Sequence, residues 1–204
     1  MTDQPRISAE QVRALREATG AGMMDCKRAL EESGGDMERA TELLRQRGKA
    51  SARKRAGRAA NEGVIESYIH FNRRVGVLVE VNCESDFVAA TDQFRTLARE
   101  VALHVASAKP RWTDREEVPQ EILDAERRVY EGQVREEGKP ENVVERIVTG
   151  KLEAFFKENV LLDQPFVRDT AKTIGELAEE ASATLGEKVA IRRFALFQLG
   201  EELE

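Results

Sequence analysis

The alternation of apolar and polar positions is clearest between Val75 and Val81, where a valine stands at every second residue. A period of two places these side chains on one face of a strand, and β-branched residues favour strands. The segment therefore predicts a core strand. Val64 to Phe71 alternates in the same way, and Asn72-Arg73-Arg74 between them predicts the turn of an antiparallel hairpin.

A third strand is predicted over Val189 to Leu199. Its apolar positions fall largely on one face, and they are Val189, Ile191, Ala195, Phe197 and Leu199.

Helical spacing follows the core strand. A helix is expected from Asp86 to about Ser107, and its apolar stripe contains Phe94, Leu97, Val101 and Val105. Pro119 and Gly138-Lys139-Pro140 delimit two further helices, which the short turn must make antiparallel. The first carries Ile122, Ala125 and Val129, and the second carries Val144, Ile147 or Val148, Leu152 and Phe155. Leu161 to Val167 returns to the core, and a last helix is predicted from about Thr170 to Leu185.

Three short helices precede these elements. Ser8 and Gln11 form a capping-box pattern, so the first helix should span about Ala9 to Ala18. Gly34-Gly35 ends the second helix. Asp36 caps the third, whose apolar stripe precedes Gly48.

These patterns predict an α+β protein in three parts. Residues 1–48 form a three-helix domain, and residues 49–62 form a basic linker that is helical in part. Residues 63–204 form a core with a three-stranded antiparallel sheet packed by helices, from which a helical hairpin over 119–160 projects.

Asp86 and Phe87 stand at the corner where the core strand turns into a helix. A carboxylate is favourable at the positive end of a helix. Phe87 precedes the apolar stripe, so its ring is available to point outwards as an anchor for a partner. Alternatively, the ring folds back as a hydrophobic staple.

Composition narrows the function classes. The net charge of -6 and the pI near 5.3 argue against a general binder of nucleic acids or membrane surfaces. No apolar run approaches the ~20 residues of a membrane span, and the N-terminus lacks a signal-peptide pattern. The chain has only 2 cysteines, Cys26 and Cys83, which gives no disulfide framework. We therefore expect a cytoplasmic protein.

Motifs of catalysis are missing from the sequence. His70 and His104 have no spacing that predicts a metal site, and no Gly-rich phosphate loop is present. Cys83, His70 and Asp86 could form a nucleophile and base, but no oxyanion-hole or cysteine-protease motif accompanies them. The sequence thus predicts a protein that is not an enzyme and needs no cofactor.

The linker clusters its cations between Lys49 and Arg58. Such a cluster could contact phosphates in nucleic acid, but no interleaved aromatic residue supports base stacking. A solvated linker is the simpler interpretation, and an acidic partner surface is the next.

Three stretches carry a resemblance to a known family. Leu15 to Leu30 reads LREATGAGMMDCKRAL, Glu84 to Ala89 reads ESDFVA, and the region from Lys139 to Asp169 contains VTGKLEAFFKENVLLDQPFVRD. They resemble the opening helices, the Thr-Asp-Phe-Val-Ala element and the helical hairpin of elongation factor Ts, the bacterial exchange factor for elongation factor Tu. The resemblance covers nearly the whole chain.

The resemblance implies a ubiquitin-associated-like head, a basic linker and an α+β core with a coiled-coil hairpin. It also implies that the chain binds the GTPase elongation factor Tu and releases its GDP. Ser85, Asp86, Phe87 and Val88 would act beside the partner's nucleotide site, disturbing its magnesium ion and phosphate loop. The head would contact the GTPase through Arg16, Met23, Met24 and Lys27.

Two departures from the family pattern matter. Ser85 stands where the family usually has threonine, which keeps a hydroxyl for helix capping. Longer members carry two related core halves, whereas this chain has the length for one. It resembles the short form of the family, which is expected to form a homodimer. The alternative to nucleotide exchange is a non-catalytic adapter that binds a protein through its three-helix head.

Overall fold

The computed structural model describes residues Ile7 to Glu201 and shows an α+β protein. The helices are α1 (Ala9–Thr19), α2 (Met23–Ser33), α3 (Met37–Arg55), α4 (Asp86–Ala89), α5 (Asp92–Ala108), α6 (Gln120–Glu136), α7 (Glu141–Asn159) and α8 (Ile174–Leu185). The strands are β1 (Glu62–Ile69), β2 (Val75–Cys83), β3 (Pro165–Phe166), β4 (Asp169–Thr173) and β5 (Ala190–Gln198).

The chain forms two compact units. Of the described residues, one unit holds those up to Gly63 together with Asn82–Phe94 and Ala178–Ala190. The other holds Val64–Val81, Arg95–Leu177 and the described residues from Ile191 onward. The division into domains at residues 48 and 62 stays a prediction.

Helices α1 to α3 enclose a small apolar core. Ser8 and Gln11 make the predicted capping box at the start of α1. Gly20 and Gly34 end α1 and α2 with φ angles of 67° and 68°, a left-handed conformation that glycine adopts without steric cost. The buried residues of this core are Val12, Leu15, Cys26, Ala29, Leu30, Ala40 and Leu44.

Helix α3 continues past Gly48 to Arg55, so the predicted linker is indeed helical in part. A glycine inside a helix costs about 1 kcal/mol relative to alanine. Here a Cβ at residue 48 would lie 3.0 Å from the Cβ of Ala183. Glycine therefore leaves room for the close approach of α8 at this point, and it does not end the helix.

The main sheet has the strand order β1-β2-β5 and is antiparallel, as predicted. Val77, Val79 and Val81 of the central strand β2 are buried, which confirms the face chosen from the alternation. The backbone amide of His70 donates to the carbonyl of Val75 at 2.9 Å and closes the hairpin. In the last strand region, Val189 and Ile191 are buried, whereas Ala195, Phe197 and Leu199 are exposed.

The helix expected from Asp86 to Ser107 is two helices, α4 and α5. Its apolar stripe is buried as predicted. The interruption occurs at Thr91, whose hydroxyl donates to the carbonyl of Val88 at 2.7 Å and accepts from the amide of Phe94 at 3.3 Å. A threonine hydroxyl that bonds to the backbone in this way competes with continuous helix.

The last helix was predicted to begin four residues too early. Asp169–Thr173 forms strand β4, which pairs with β3 in a small antiparallel ladder that the sequence pattern does not predict. Helix α8 starts at Ile174, after a capping box in which Thr173 and Glu176 exchange backbone-to-side-chain bonds of 3.1 Å. The pattern Thr-x-x-Glu at 173–176 is the signal that could have placed this start.

The helical hairpin lies within the predicted bounds, and its helices are α6 and α7. Val134, Val144 and Val148 pack between them, which resolves the choice between Ile147 and Val148. The stripe predicted for the first helix is right for Ile122, which is half-buried, but wrong for Ala125 and Val129, which are exposed. The half-buried side chains of α6 are Ile122, Leu123, Glu126, Arg127, Tyr130 and Glu131.

His104 is fully buried in α5, where its ring is held by two hydrogen bonds. The amide of Val167 donates to Nδ1 at 3.3 Å, so Nε2 carries the hydrogen and donates to Gln164 Oε1 at 2.9 Å. Desolvation lowers the pKa of His104 below its ordinary value near 6.5, because burial disfavours the charged imidazolium.

We expect the free energy of unfolding to fall as the pH drops below about 6.5, because His104 then binds a proton in the unfolded chain but stays neutral in the folded chain. The dependence on this residue reaches at most about 1.4 kcal/mol per pH unit. Urea denaturation between pH 7.5 and 5 should show a shallower loss in His104→Gln than in the original chain. Equal slopes would contradict a neutral buried His104.

Candidate partner-binding site

Phe87 projects from the corner between β2 and α4. Its side chain is 83% exposed. The hydrophobic-staple alternative is therefore wrong, since a staple requires the ring to pack on its own helix. A large apolar ring held in water at a helix start is a candidate anchor for another protein.

The residues next to Phe87 fix the start of α4. Ser85 is half-buried, and its hydroxyl accepts from the amide of Val88 at 3.3 Å, so the cap expected from a serine at this position is present. Asp86 is exposed in the first turn, and Val88 is half-buried. Ala89 is buried and attaches the short helix to the interior.

Glu84 connects this corner to the linker. Arg58 Nη1 lies 3.2 Å from Glu84 Oε2, and the backbone amide of Lys188 donates to Glu84 Oε1 at 2.6 Å. The Lys188 amide lowers the pKa of the Glu84 carboxyl, with Arg58 contributing in the same direction. Glu187 also reaches the corner, from a turn 102 residues further along the chain than Ser85, and no local sequence signal marks it.

Other linker arginines are also engaged. Arg55 donates to the carbonyl of Ser182 at 3.4 Å, and Arg53 lies 4.0 Å from Glu179. Cations that contact their own compact unit favour the structural interpretation of the linker over a nucleic-acid surface.

The four residues singled out in the three-helix region are all exposed. Arg16 lies in the last turn of α1, and Met23, Met24 and Lys27 lie on α2. Met24 is 65% exposed, while Cys26 and Ala29 on the same helix are buried. This surface and the Phe87 corner belong to the same compact unit.

The candidate for covalent catalysis has unsuitable chemistry. Cys83 is buried, and its thiol donates to the carbonyl of Ser85 at 3.1 Å. Burial raises the pKa of Cys83, with the charge of Glu187 adding to the effect. A nucleophilic cysteine needs a lowered pKa, so the thiol acts here as a packed side chain.

Between Ile7 and Glu201 no group of three or more His, Cys, Asp or Glu side chains could hold a metal ion. No helix in that range is long and apolar enough to cross a membrane.

Comparison with known proteins shows which family the chain belongs to. Residues 25–201 match the family model described as Elongation factor TS. Elongation factor Ts of Carboxydothermus hydrogenoformans is 56% identical over 197 residues, which cover 97% of this chain and 91% of the relative. The chain belongs to the elongation factor Ts family. Elongation factor Ts of Thermosipho melanesiensis is 51% identical to this chain over 195 residues, which cover 96% of this chain and 100% of the relative.

Membership in the elongation factor Ts family confirms the resemblance seen in the three sequence stretches. It assigns the chain the role of a translation elongation factor, active in protein biosynthesis. A member of this family is not an enzyme that converts a substrate.

Proposed function

We propose that this chain binds the GTPase elongation factor Tu and promotes release of its GDP, so that GTP can bind again. Asp86 and Phe87 enter beside the partner's nucleotide site and disturb its magnesium ion and phosphate loop, flanked by Ser85 and Val88. The observation that carries the proposal is the exposed ring of Phe87 on a capped helix start.

Exchange of this kind requires no covalent step by the factor. The factor binds the nucleotide-free GTPase more tightly than the GDP-bound form, and by linkage GDP is then held more weakly by the same ratio. Phe87 supplies the differential contact, because a pocket for its ring exists only when the phosphate site is displaced. Asp86 fixes the angle of entry or accepts a hydrogen bond from the partner.

The head supplies a second contact. Exposed Met23 and Met24 give a flexible apolar surface, and Arg16 and Lys27 flank it with positive charge. We propose that this three-helix region is of the ubiquitin-associated type and docks on the GTPase.

The chain is also proposed to act as a cytoplasmic homodimer. Large apolar side chains are exposed on the second face of the main sheet and at the residue that follows β5, and we name them the outer sheet surface: Ile65, Ile69, Leu78, Phe197 and Leu199. Ile65 and Leu78 line one cavity of about 270 Å³, and Ile69 lies over Gly76, where a Cβ would come within 3.0 Å of it.

A second copy of this chain is the occupant that fits the outer sheet surface. The charged residues that line its cavity, Glu80 and Arg193, form an ion pair of 2.7 Å, so the cavity presents no net charge to a second copy. Soluble monomers rarely leave contiguous apolar patches larger than a few hundred Å². Two chains would supply the two core halves that longer members carry in one, and one dimer could then bind two GTPases.

The deciding experiment measures release of fluorescent GDP from purified elongation factor Tu after mixing with excess unlabelled GDP. We expect release to accelerate with the concentration of this chain and then saturate. Stable binding of the GTPase without faster release would instead support the adapter function.

A further inference from the structure

The turn after α8 places a carboxylate against the Phe87 corner. Gly186 ends α8 with a φ of 76°, and Glu187 follows it. Glu187 Oε2 accepts from the backbone amides of Glu84 at 3.1 Å and Ser85 at 3.0 Å. Glu187 Oε1 accepts from the hydroxyl of Ser85 at 2.6 Å. One carboxylate therefore holds three donors of two consecutive residues.

The segments 84–85 and 187–188 donate hydrogen bonds to each other in both directions. While Glu187 accepts from the backbone of Glu84 and Ser85, the carboxylate of Glu84 accepts from the backbone amide of Lys188 at 2.6 Å. The Lys188 ammonium donates to the carbonyl of Arg58 at 2.9 Å, and the carbonyl of Glu187 accepts from the hydroxyl of Ser182 at 2.6 Å. The bonds to the two carboxylates and from the Lys188 ammonium are charge-assisted, and such bonds are about twice as strong as neutral ones.

The orientation of the Ser85 hydroxyl follows from its hydrogen bond to Glu187. Because its hydrogen is donated to Glu187, a lone pair of the oxygen is left to accept from the amide of Val88. That second bond caps α4, whose first two residues are Asp86 and Phe87. Glu187 therefore sets the cap, and the cap sets the backbone that carries the ring.

Phe87 depends on its backbone for direction. At 83% exposure the ring has too little contact with its own chain to fix where it points. A binding anchor that is not fixed in advance loses affinity to the entropy of ordering. Preorganisation of the ring must come from α4 and the groups that hold α4.

We propose that Glu187 is a positioning residue for exchange, which aligns Asp86 and Phe87 through the Ser85 cap without touching the partner. The proposal rests on the function proposed above for Phe87. It adds a residue that acts on the corner from a distant part of the chain.

Glu187→Ala should lower stimulated GDP release by ~10-fold or more, since three buried or half-buried donors lose their acceptor. Glu187→Gln keeps one acceptor oxygen and should recover part of the rate. Glu179→Gln is the matched control on α8. The Glu179 carboxylate makes a long ion pair of 4.0 Å with Arg53, so this variant should retain the full rate. A full rate in Glu187→Ala would overturn the proposal.

A triple variant separates positioning from general damage. If Glu187 acts only through Asp86 and Phe87, then adding Glu187→Ala to a chain that already carries Asp86→Ala and Phe87→Ala should change GDP release by less than ~2-fold. A loss that multiplies in the triple variant would show that Glu187 acts elsewhere and would overturn the positioning role.

A readout on the free protein keeps this test independent of the proposed function. The amides of Ala89 and Ala90, which bond to the carbonyls of Ser85 and Asp86, should exchange with solvent ~10-fold faster in Glu187→Ala. The amides of Val79 and Val81 should be unaffected. Unchanged hydrogen exchange at Ala89 and Ala90 would reject the positioning role of Glu187. Failure of the original chain to release GDP would instead reject only the proposed function in nucleotide exchange, so the two failures can be distinguished.

Discussion

Replacing Phe87 by alanine is expected to slow stimulated GDP release by roughly 30-fold or more, which corresponds to the loss of about 2 kcal/mol at an interface hot spot. The ring is the largest exposed apolar group at the corner, and alanine leaves the proposed pocket on the GTPase unfilled. Stopped-flow measurement of GDP release across a range of factor concentrations gives the rate and the affinity separately.

The same substitution should leave the fold intact. An exposed side chain removed from the surface usually changes the free energy of unfolding by within about 0.5 kcal/mol. The urea midpoint of Phe87→Ala should therefore match that of the original chain. Val129→Ala removes a 52% exposed apolar side chain from the hairpin and is the control. Undiminished GDP release in Phe87→Ala would refute the assignment of the ring to exchange.

Local sequence signals predicted those elements whose causes are local. The valines of β2 alternate from Val75 to Val81, the capping box at Ser8 begins α1, and the glycine pair at residues 34 and 35 follows the end of α2. Each signal acts within a few residues, so it can be seen in the sequence without a tertiary fold.

Two features of the fold could not be predicted from the pattern of apolar and polar residues alone. Gly48 lies inside α3, and only the fold shows that a Cβ at this position would come within 3.0 Å of the Cβ of Ala183. Thr91 reads as an ordinary helical residue until its hydroxyl is seen to bond to the backbone on both sides. Tertiary context can override propensity in this way because propensities are small compared with packing.

The candidate site also combines features that the sequence indicates with features that only the fold shows. Phe87 could be singled out from its place between a strand and a helix, and the family resemblance gave it a role. Its exposure could not be predicted, because a staple and an outward ring share the same local sequence. Glu187 was missed altogether, since only the fold brings it to Ser85.

The second large effect concerns the outer sheet surface. Leu78→Asp is expected to convert a dimer into a monomer, because the two-fold symmetry of a homodimer would bury the new carboxylate on both chains. Leu78 is already 47% exposed in the single chain, so the aspartate costs little when the face is open to water. Light scattering should then give the mass of one chain, 22.9 kDa, where the original gives twice that value.

Two comparisons make the result specific. Val129→Asp places the same charge on an exposed apolar position of α6, outside the outer sheet surface, and should remain dimeric. Phe87→Ala should also remain dimeric, since the corner and the outer sheet surface are separate sets of residues. A dimer that persists in Leu78→Asp at micromolar concentration would exclude this face as the interface. If Leu78→Asp is monomeric and folded, its rate of GDP release shows whether one core half is sufficient for exchange or whether two chains must act together.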